Sequence, residues 1–136
     1  MSVHLTIVTP QGEAFAERVD TVVLPGSEGD FGVLEGHERF LSPLRIGLLT
    51  VQTSGTTRWA AVSKGFADVS GEDVVVLVDQ CQLADQIDVA EVEATCESAE
   101  ASLRELSAGP EDDVRRAELE QTIERAGVWL EAARKG

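Results

Sequence analysis

The spacing of apolar residues changes near Asp85, and this change limits the possible folds more than any other feature of the sequence. Before it, apolar and polar residues alternate, as around Val3, Leu5 and Ile7, which is the pattern of a strand with one buried face. After it, apolar residues recur at steps of three and four, which is the period of an α-helix. The sequence therefore predicts a β-rich N-terminal part followed by a helical C-terminal part.

The β-rich part consists of short runs separated by turns that contain glycine, which is typical of a β-sandwich or barrel. Residues 48–51 and 74–78 are almost continuously apolar and are expected to form strands buried on both faces. Trp59 lies in an apolar run and is expected in the core. We predict an all-β sandwich over residues 1–86. Its strands are predicted at residues 3–9, 14–24, 31–34, 47–53, 57–63, 66–70 and 74–78.

The helical part, residues 87–136, is predicted to form an antiparallel two-helix hairpin. Asp88 is suited to cap the first helix, with Glu91 three residues later, and residues 107–110 end this helix. Each helix carries one apolar stripe, and the two stripes are expected to face each other. The stripes consist of Val89, Val92, Cys96, Ala99, Leu103 and Leu106 in the first helix and Leu119, Ile123, Ala126, Leu130 and Ala133 in the second.

The seam between the two predicted helices is thin because it is rich in alanine. Two short helices with small side chains bury little apolar surface against each other. The hairpin is therefore expected to be marginally stable alone and able to exchange one docking surface for another. Trp129 lies beside the stripe of the second helix, where it is either a packing residue or an anchor for a partner protein.

The net charge of −14 argues against two classes of partner. Such a chain repels phosphate backbones and anionic lipid head groups, so we expect neither nucleic-acid binding nor direct lipid insertion. No apolar run approaches the about 18 residues of a membrane helix, and no leader is evident, so the chain is expected to stay in the compartment where it is made. Cys81 and Cys96 lack the spacing of metal ligands and are expected to be reduced thiols, with no metal site.

No catalytic constellation stands out, because nucleophilic catalysis requires a base near its Ser or Cys and the chain has two histidines, His4 and His37. His4 is expected to be solvated on the polar face of the first strand. Residues 35–39 suggest an exposed loop, which makes His37 a candidate interaction residue. The glycines of residues 24–32 lack a following Gly-Lys-Ser/Thr, so a phosphate loop is disfavoured.

These observations favour a non-enzymatic protein that binds other proteins. One alternative is a free-standing β-sandwich that binds a small ligand. Another is a hydrolase, although the spacing of the carboxylates singles out no general acid and base.

Four stretches carry a resemblance to a known family: residues 23–37 (VLPGSEGDFGVLEGH), 44–49 (LRIGLL), 61–69 (AVSKGFADV) and 74–79 (VVVLVD). In this order they resemble the epsilon subunit of F-type ATP synthases. The resemblance covers the whole chain and is strong as far as Asp88. The sandwich-then-hairpin plan agrees with it.

The resemblance implies a rotor subunit of the central stalk that has no catalytic residues. The sandwich would bind the gamma subunit and the ring of c subunits, coupling proton flow to ATP synthesis. The hairpin would either fold down on the sandwich or extend into the catalytic head of alpha and beta subunits, where it would restrain ATP hydrolysis. His37 matches the family's gamma contact, and Asp30 matches an acidic position that faces the c-ring. The expected location is peripheral, at the cytoplasmic face of the bacterial plasma membrane.

Two departures from the family pattern affect these expectations. Arg39 stands where the family usually has a proline two residues after the histidine, and it adds a charge to that segment. Some bacterial members bind ATP through an Ile-Asp-x-x-Arg-Ala motif, of which this chain keeps Ile87 and Asp88.

Glu91 and Val92 replace the arginine and alanine of that motif. A glutamate in place of a phosphate-binding arginine argues against ATP binding, so no cofactor is expected and Ile87 and Asp88 form an incomplete nucleotide site. The residues able to compensate for the lost positive charge are Arg115, Arg116 and Arg125.

Overall fold

The computed structural model describes residues 2–33 and 37–136, without the side chains of His37 and Glu38. Within these residues, ten strands precede two α-helices, α1 (Val89–Arg104) and α2 (Asp113–Lys135). A short 3-10 helix, Ala84–Gln86, links the strands to α1, and a second, Pro110–Asp112, leads into α2. The strands are β1 (Val3–Thr9), β2 (Gly12–Val19), β3 (Thr21–Gly26), β4 (Gly29–Val33), β5 (His37–Leu44), β6 (Gly47–Thr53), β7 (Thr56–Val62), β8 (Gly65–Gly71), β9 (Asp73–Val78) and β10 (Cys81–Leu83).

The strands form a β-sandwich, as the sequence predicted. The order of hydrogen-bonded neighbours is β10-β7-β6-β3-β5-β8-β9-β1-β2, and β4 pairs with β3. A single residue pair, Gly26 with Leu44, joins β3 to β5, so the sheet is weakly connected at this point and divides into two halves. Leu49 and Val51 from one half and Leu5 and Val76 from the other belong to the same buried core, so the two halves enclose it together.

Alternation of buried residues holds in β1, where Val3, Leu5 and Ile7 lie in the core. The expectation that two strands are buried on both faces is right for one of them. In β6, Leu48 packs under the helical hairpin on the side away from the core. In β9, Leu77 is 48% exposed, because no helix covers that side of the strand.

Three strand predictions are wrong in detail. The predicted run over residues 14–24 is two strands, because the chain turns at Asp20, whose carboxylate accepts a hydrogen bond from the Ser54 amide at 2.8 Å. β5, which contains Pro43, was not among the predicted strands. The proline is tolerated there because β5 pairs along its length with β8, whereas β3 pairs with it only at Leu44. β10 is too short for an alternating pattern to reveal it.

The loop predicted over residues 35–39 is also corrected. The backbone of His37 pairs with Gly71, and Arg39 continues β5. The register shifts between His37 and Phe40, which interrupts the alternation that would have identified a strand. Residues 34–36, including the end of the predicted strand 31–34, lie outside the described residues.

The hairpin forms with the predicted first cap. The Asp88 carboxylate accepts a hydrogen bond from the amide of Glu91 at 3.2 Å. α1 ends at Arg104, slightly before the predicted last stripe residue, Leu106. The turn between the helices is held by Ser107, whose hydroxyl and amide both donate to Asp112, at 2.8 and 3.0 Å.

The C-terminal half of α2 docks the hairpin on the sandwich. Ala61 of β7, Ala84 of the linker, and Trp129 and Ala132 of α2 form a second buried cluster, which we call the docking interface. Trp59 was expected in the sandwich core but packs at the edge of this interface, with the Lys135 Nζ atom 5.8 Å from its ring centroid. The assignment of residues 1–86 and 87–136 to separate functional units stays a prediction.

Candidate functional site

An uncovered apolar surface lies on the outer side of β5, β8 and β9. Leu41 is 65% exposed, Phe66 51% and Leu77 48%. The strand register places Phe66 between Leu77 on one side and Pro43 on the other, so the apolar side chains adjoin one another across the strands. We call Leu41, Pro43, Phe66 and Leu77 the apolar face. Contiguous apolar surface of this kind is typical of a protein interaction site, whereas scattered single residues are not.

The apolar face borders a groove of about 640 Å³. Val8 and Pro10, at the end of β1, form the far wall, and Lys64 and Asp79 supply charge at its edge. Near Leu41, the Arg39 guanidinium lies 3.9 Å from the Asp68 carboxylate. An apolar centre with charged groups at the rim is the usual arrangement of a protein–protein interface.

The predicted gamma contact, His37, begins the strand that carries Leu41 and Pro43. Its backbone pairs with Gly71, at the far end of β8 from Phe66. Its side chain lies outside the described residues, so its role stays a prediction. The apolar face was not predicted from residue periodicity. In β9, however, Leu77 lies between the buried residues Val76 and Val78, and an apolar residue at such an outward position indicates an apolar outer surface.

The predicted c-ring contact, Asp30, lies at the turn that joins β3 to β4, which we call the acidic turn (residues 26–30). Gly29 has a φ of 137°, a conformation that favours glycine. The Arg45 guanidinium donates to the Asp30 carboxylate at 2.7 Å and to the carbonyl of Gly26 at 3.0 Å. Asp30 remains 56% exposed, and Glu28 is exposed beside it. Arg45 therefore fixes the turn while leaving its carboxylates accessible.

The acidic turn adjoins the apolar face. The amide of Ser27 donates to the carbonyl of Pro43 at 3.0 Å, and the amide of Arg45 donates to the carbonyl of Pro25 at 2.9 Å. Two surfaces of different chemistry, one apolar and one acidic, are thus held together at one end of the sandwich. Sequence reasoning missed Arg45 because its partners are 15 and 19 residues away.

The incomplete nucleotide motif borders a crevice of about 180 Å³ between the helices and β10. Asp88 and Glu91 line it, and Arg125 is the arginine among the three candidates that reaches it. Arg116 is instead paired with Asp113 at 2.8 Å, and Arg115 lies 3.8 Å from Glu118. The other lining residues are Gln82, Val92, Thr95, Thr122, Ala126 and Trp129.

Ile87 does not line the crevice but packs against the docking interface. Trp129 is 7% exposed, and its indole Nε1 donates to the side-chain oxygen of Gln82 at 3.0 Å. Of the two interpretations of Trp129, packing is therefore the one that this structure shows.

The two cysteines are poorly suited to nucleophilic catalysis. Burial raises the pKa of the Cys81 thiol to about 11. Cys96 donates to Glu100 at 3.3 Å, and burial and this carboxylate raise its pKa as well. Both are free thiols, and neither is a ready nucleophile at neutral pH. His4 is partly exposed and lies 3.8 Å from Asp73. Among residues 2–33 and 37–136, no three His, Cys, Asp or Glu side chains are grouped to hold a metal ion.

Comparison with protein families identifies the sandwich. Residues 2–84 match the family model described as the β-sandwich domain of the ATP synthase delta/epsilon chain. The chain belongs to this family. It is 44% identical over 116 residues to the ATP synthase epsilon chain of Desulforamulus reducens, covering 85% of this chain and 86% of that one. It is 40% identical over 132 residues to the epsilon chain of Geobacter sulfurreducens, covering 95% and 94%.

A solved structure extends the similarity to the hairpin. A chain in the OSCP/F1/c-ring structure of the Euglena gracilis mitochondrial ATP synthase matches with a TM-score of 0.77 and 27% identity, over 97% of this chain and 81% of that one. The predicted function is confirmed at this level: the chain is an ATP synthase rotor subunit. Epsilon chains are non-catalytic accessory subunits, so membership of the family also excludes a hydrolase and replaces the alternative of a free-standing ligand-binding sandwich.

ATP synthase is a membrane-associated complex. In the described part of this chain, neither helix combines the length and the apolar character needed to cross a bilayer.

Proposed function

We propose that this chain connects the gamma subunit to the c-ring in the central stalk and so helps to couple proton flow through the c-ring to ATP synthesis. In this proposal the apolar face binds the gamma subunit, the acidic turn meets the c-ring, and the hairpin regulates hydrolysis in the alpha and beta subunits. The complex would sit at the cytoplasmic face of the bacterial plasma membrane. The observation that carries the proposal is the uncovered apolar face on a sandwich of the ATP synthase family.

The apolar face suits a permanent partner. Its side chains project from β5, β8 and β9, which pair with one another, so the surface is rigid before binding. Binding a preformed surface avoids the entropy cost of ordering it. His37 begins the strand that contains Leu41, and its proposed contact with gamma rests on the family resemblance.

The gamma contact is tested by replacing Phe66 and Leu77 together with threonine. Threonine keeps the strand preference for a β-branched residue while removing most of the apolar area. If both side chains are buried by gamma, we expect affinity for the organism's own gamma subunit to fall at least about 30-fold, since central apolar anchors contribute about 2 kcal/mol or more. The measurement is titration calorimetry with purified gamma.

The matched control is Val114→Thr, because Val114 is 73% exposed but lies on the hairpin. It should leave the affinity unchanged. Equal binding by the control and the Phe66→Thr/Leu77→Thr variant, both folded by circular dichroism, would contradict the assignment of gamma to this face.

The c-ring contact is tested at Asp30. We expect Asp30→Arg to impair ATP-driven proton pumping by reconstituted enzyme, because it places a cation beside Arg45 and reverses the charge of the turn. Asp73→Arg is the control, since Asp73 is exposed on β9 away from the acidic turn. Normal pumping by the Asp30→Arg enzyme, with the subunit fully assembled, would remove Asp30 from the interface.

The hairpin's proposed role follows from how it is attached. It docks through α2 at the docking interface. Three of the four buried residues there are alanines: Ala61 of β7, Ala84 of the linker and Ala132 of α2. Small side chains bury little area, so this contact is weak enough to be exchanged for another. Truncation after Gln86 should raise ATP hydrolysis by the reconstituted catalytic complex while preserving binding to gamma. Unchanged hydrolysis would remove the inhibitory role and leave coupling intact.

We also propose that the crevice beside Asp88 and Glu91 does not bind ATP. Its volume of about 180 Å³ is below the roughly 300 Å³ at which ligand pockets usually begin. Two carboxylates line it against one guanidinium, Arg125, which disfavours a polyanion. Titration with ATP should leave the fluorescence of Trp129 unchanged up to millimolar concentration, whereas Glu91→Arg should gain a response. A saturable response of the unmodified chain at micromolar ATP would refute this.

A further inference from the structure

The side chain of Gln82 lies where β10, the linker and α2 meet. Its Nε2 donates to the carbonyl of Gln86 at 3.0 Å, and its Oε1 accepts from the indole of Trp129 at 3.0 Å. The orientation of the amide is fixed by chemistry, because the indole can only donate and the carbonyl can only accept. Both ends of one amide are thus used, one on the linker and one on the hairpin.

The first of these bonds controls the shape of the linker. Residues 84–86 form a single 3-10 turn, and the amide of Ile87 returns to the carbonyl of Ala84 at 3.4 Å. The carbonyl of Gln86 lies two residues before Asp88, which caps α1. Holding that carbonyl therefore sets the direction in which the hairpin leaves the sandwich.

The second bond holds the hairpin itself. Trp129 is the largest side chain of the docking interface and is 7% exposed. A buried indole N–H without an acceptor is costly, so Trp129 is best accommodated on the sandwich when the Gln82 oxygen is in place. Undocking of α2 breaks this bond, and straightening of the linker breaks the other.

We propose that Gln82 is a clasp that couples the conformation of the linker to docking of the hairpin on the sandwich. This inference rests on the proposed regulatory role of the hairpin and names the residue that sets its equilibrium. Because one amide makes both bonds, each bond positions that amide for the other, so the loss of one weakens the other.

The test is hydrogen exchange of the isolated full chain. A neutral hydrogen bond shifts an equilibrium by about fivefold, so Gln82→Ala, which removes two, should speed exchange of the α1 and α2 amides by about 25-fold. Trp129→Phe keeps an aromatic ring but removes the indole N–H and part of the buried apolar area, so it should speed exchange by at least about fivefold. In the double variant the bond to Trp129 is already lost, so Trp129→Phe should add less on top of Gln82→Ala than it does in the unmodified chain.

Gln80→Ala is the matched control, since Gln80 is exposed two residues earlier and should change nothing. The β1 and β9 amides report whether the sandwich stays folded. Unchanged hairpin exchange in Gln82→Ala, or strictly multiplicative effects of Gln82→Ala and Trp129→Phe, would overturn the clasp.

The proposed function is judged separately, from ATP hydrolysis by the reconstituted complex. If Gln82→Ala loosens the hairpin without altering hydrolysis, the clasp stands and the regulatory role of the hairpin fails. If hydrolysis falls as exchange rises, both are supported.

Discussion

Ala132 offers a test of how the hairpin is docked that leaves every polar contact in place. It is fully buried on α2, and Ala61, which is fully buried on β7, belongs to the same cluster. Helix and strand approach closely here because both side chains are single methyl groups. Replacing Ala132 with leucine preserves helix propensity but inserts three more carbon atoms into a filled site.

The expected cost follows from that geometry. Overpacking a well-filled site costs about 1–3 kcal/mol when the surroundings cannot give way. The sandwich side is a paired strand between β6 and β10, whereas the hairpin is attached through one linker. The strain should therefore be relieved by moving the helices away. The docking equilibrium should shift by about 5- to 150-fold toward the undocked state, since about 1.4 kcal/mol corresponds to tenfold.

Two measurements follow this shift. Tryptophan emission should move to longer wavelength, because Trp59 and Trp129 both pack at the docking interface and gain solvent. Exchange of α2 amides should accelerate by the same factor while β1 and β9 amides stay protected. Ala117→Leu is the control, since Ala117 is exposed on the same helix. An Ala132→Leu chain with unshifted emission and unchanged α2 exchange would show that this contact is not tightly packed, and the reasoning would be wrong.

Three further predictions concern single interactions. Arg58 donates to Glu17 at 2.9 and 3.1 Å and lowers the pKa of Glu17 below its ordinary value of 4.5, so the stability this pair adds is present above pH 4.5 and is lost as the pH falls through the lowered pKa. Thermal melts of Glu17→Gln should therefore lie at most about 4 °C below the unmodified chain at pH 7, and this difference should shrink as the pH is lowered below 4.5. Iodoacetamide at pH 7.5 should alkylate Cys96 before Cys81, whose pKa is about 11, and the reverse order by mass spectrometry would contradict the burial of Cys81. Asp88→Ala should accelerate amide exchange in the first turn of α1 by about fivefold through the loss of about 1 kcal/mol of capping, and no acceleration would mean that the cap is unimportant.

The features that the sequence predicted well are those set by near neighbours. Alternation of Val3, Leu5 and Ile7 identified a strand with one buried face. Asp88 and Glu91, which are three residues apart, identified the start of a helix. The resemblance of residues 23–37 identified the family because that stretch is long and contains several turn glycines. Each of these signals is complete within one element or one turn.

The features that it missed depend on which surfaces meet in three dimensions. Leu48 and Leu77 occupy similar apolar runs, yet one lies under the hairpin and the other is exposed, because α2 covers only one half of the sheet. Gln82 and Trp129 are 47 residues apart, so no local pattern links them. Strand β5 was hidden by Pro43 and by its register shift, both of which local rules treat as evidence against a strand.

The unequal cover of the two halves has a consequence for how the hairpin can act. When the hairpin leaves, Ile46, Leu48 and Trp59 lose the apolar side chains that now cover them, and Trp129 loses both its burial and its acceptor. Exposing that surface costs about 25 cal/mol per Å², so the isolated chain should remain docked unless another protein covers the released helices. An extended hairpin is therefore a state that a partner has to stabilise, by binding it more tightly than the sandwich does. The partner needs to supply only a small free energy, because the docking interface is packed mainly by alanines and is held by one clasp, Gln82.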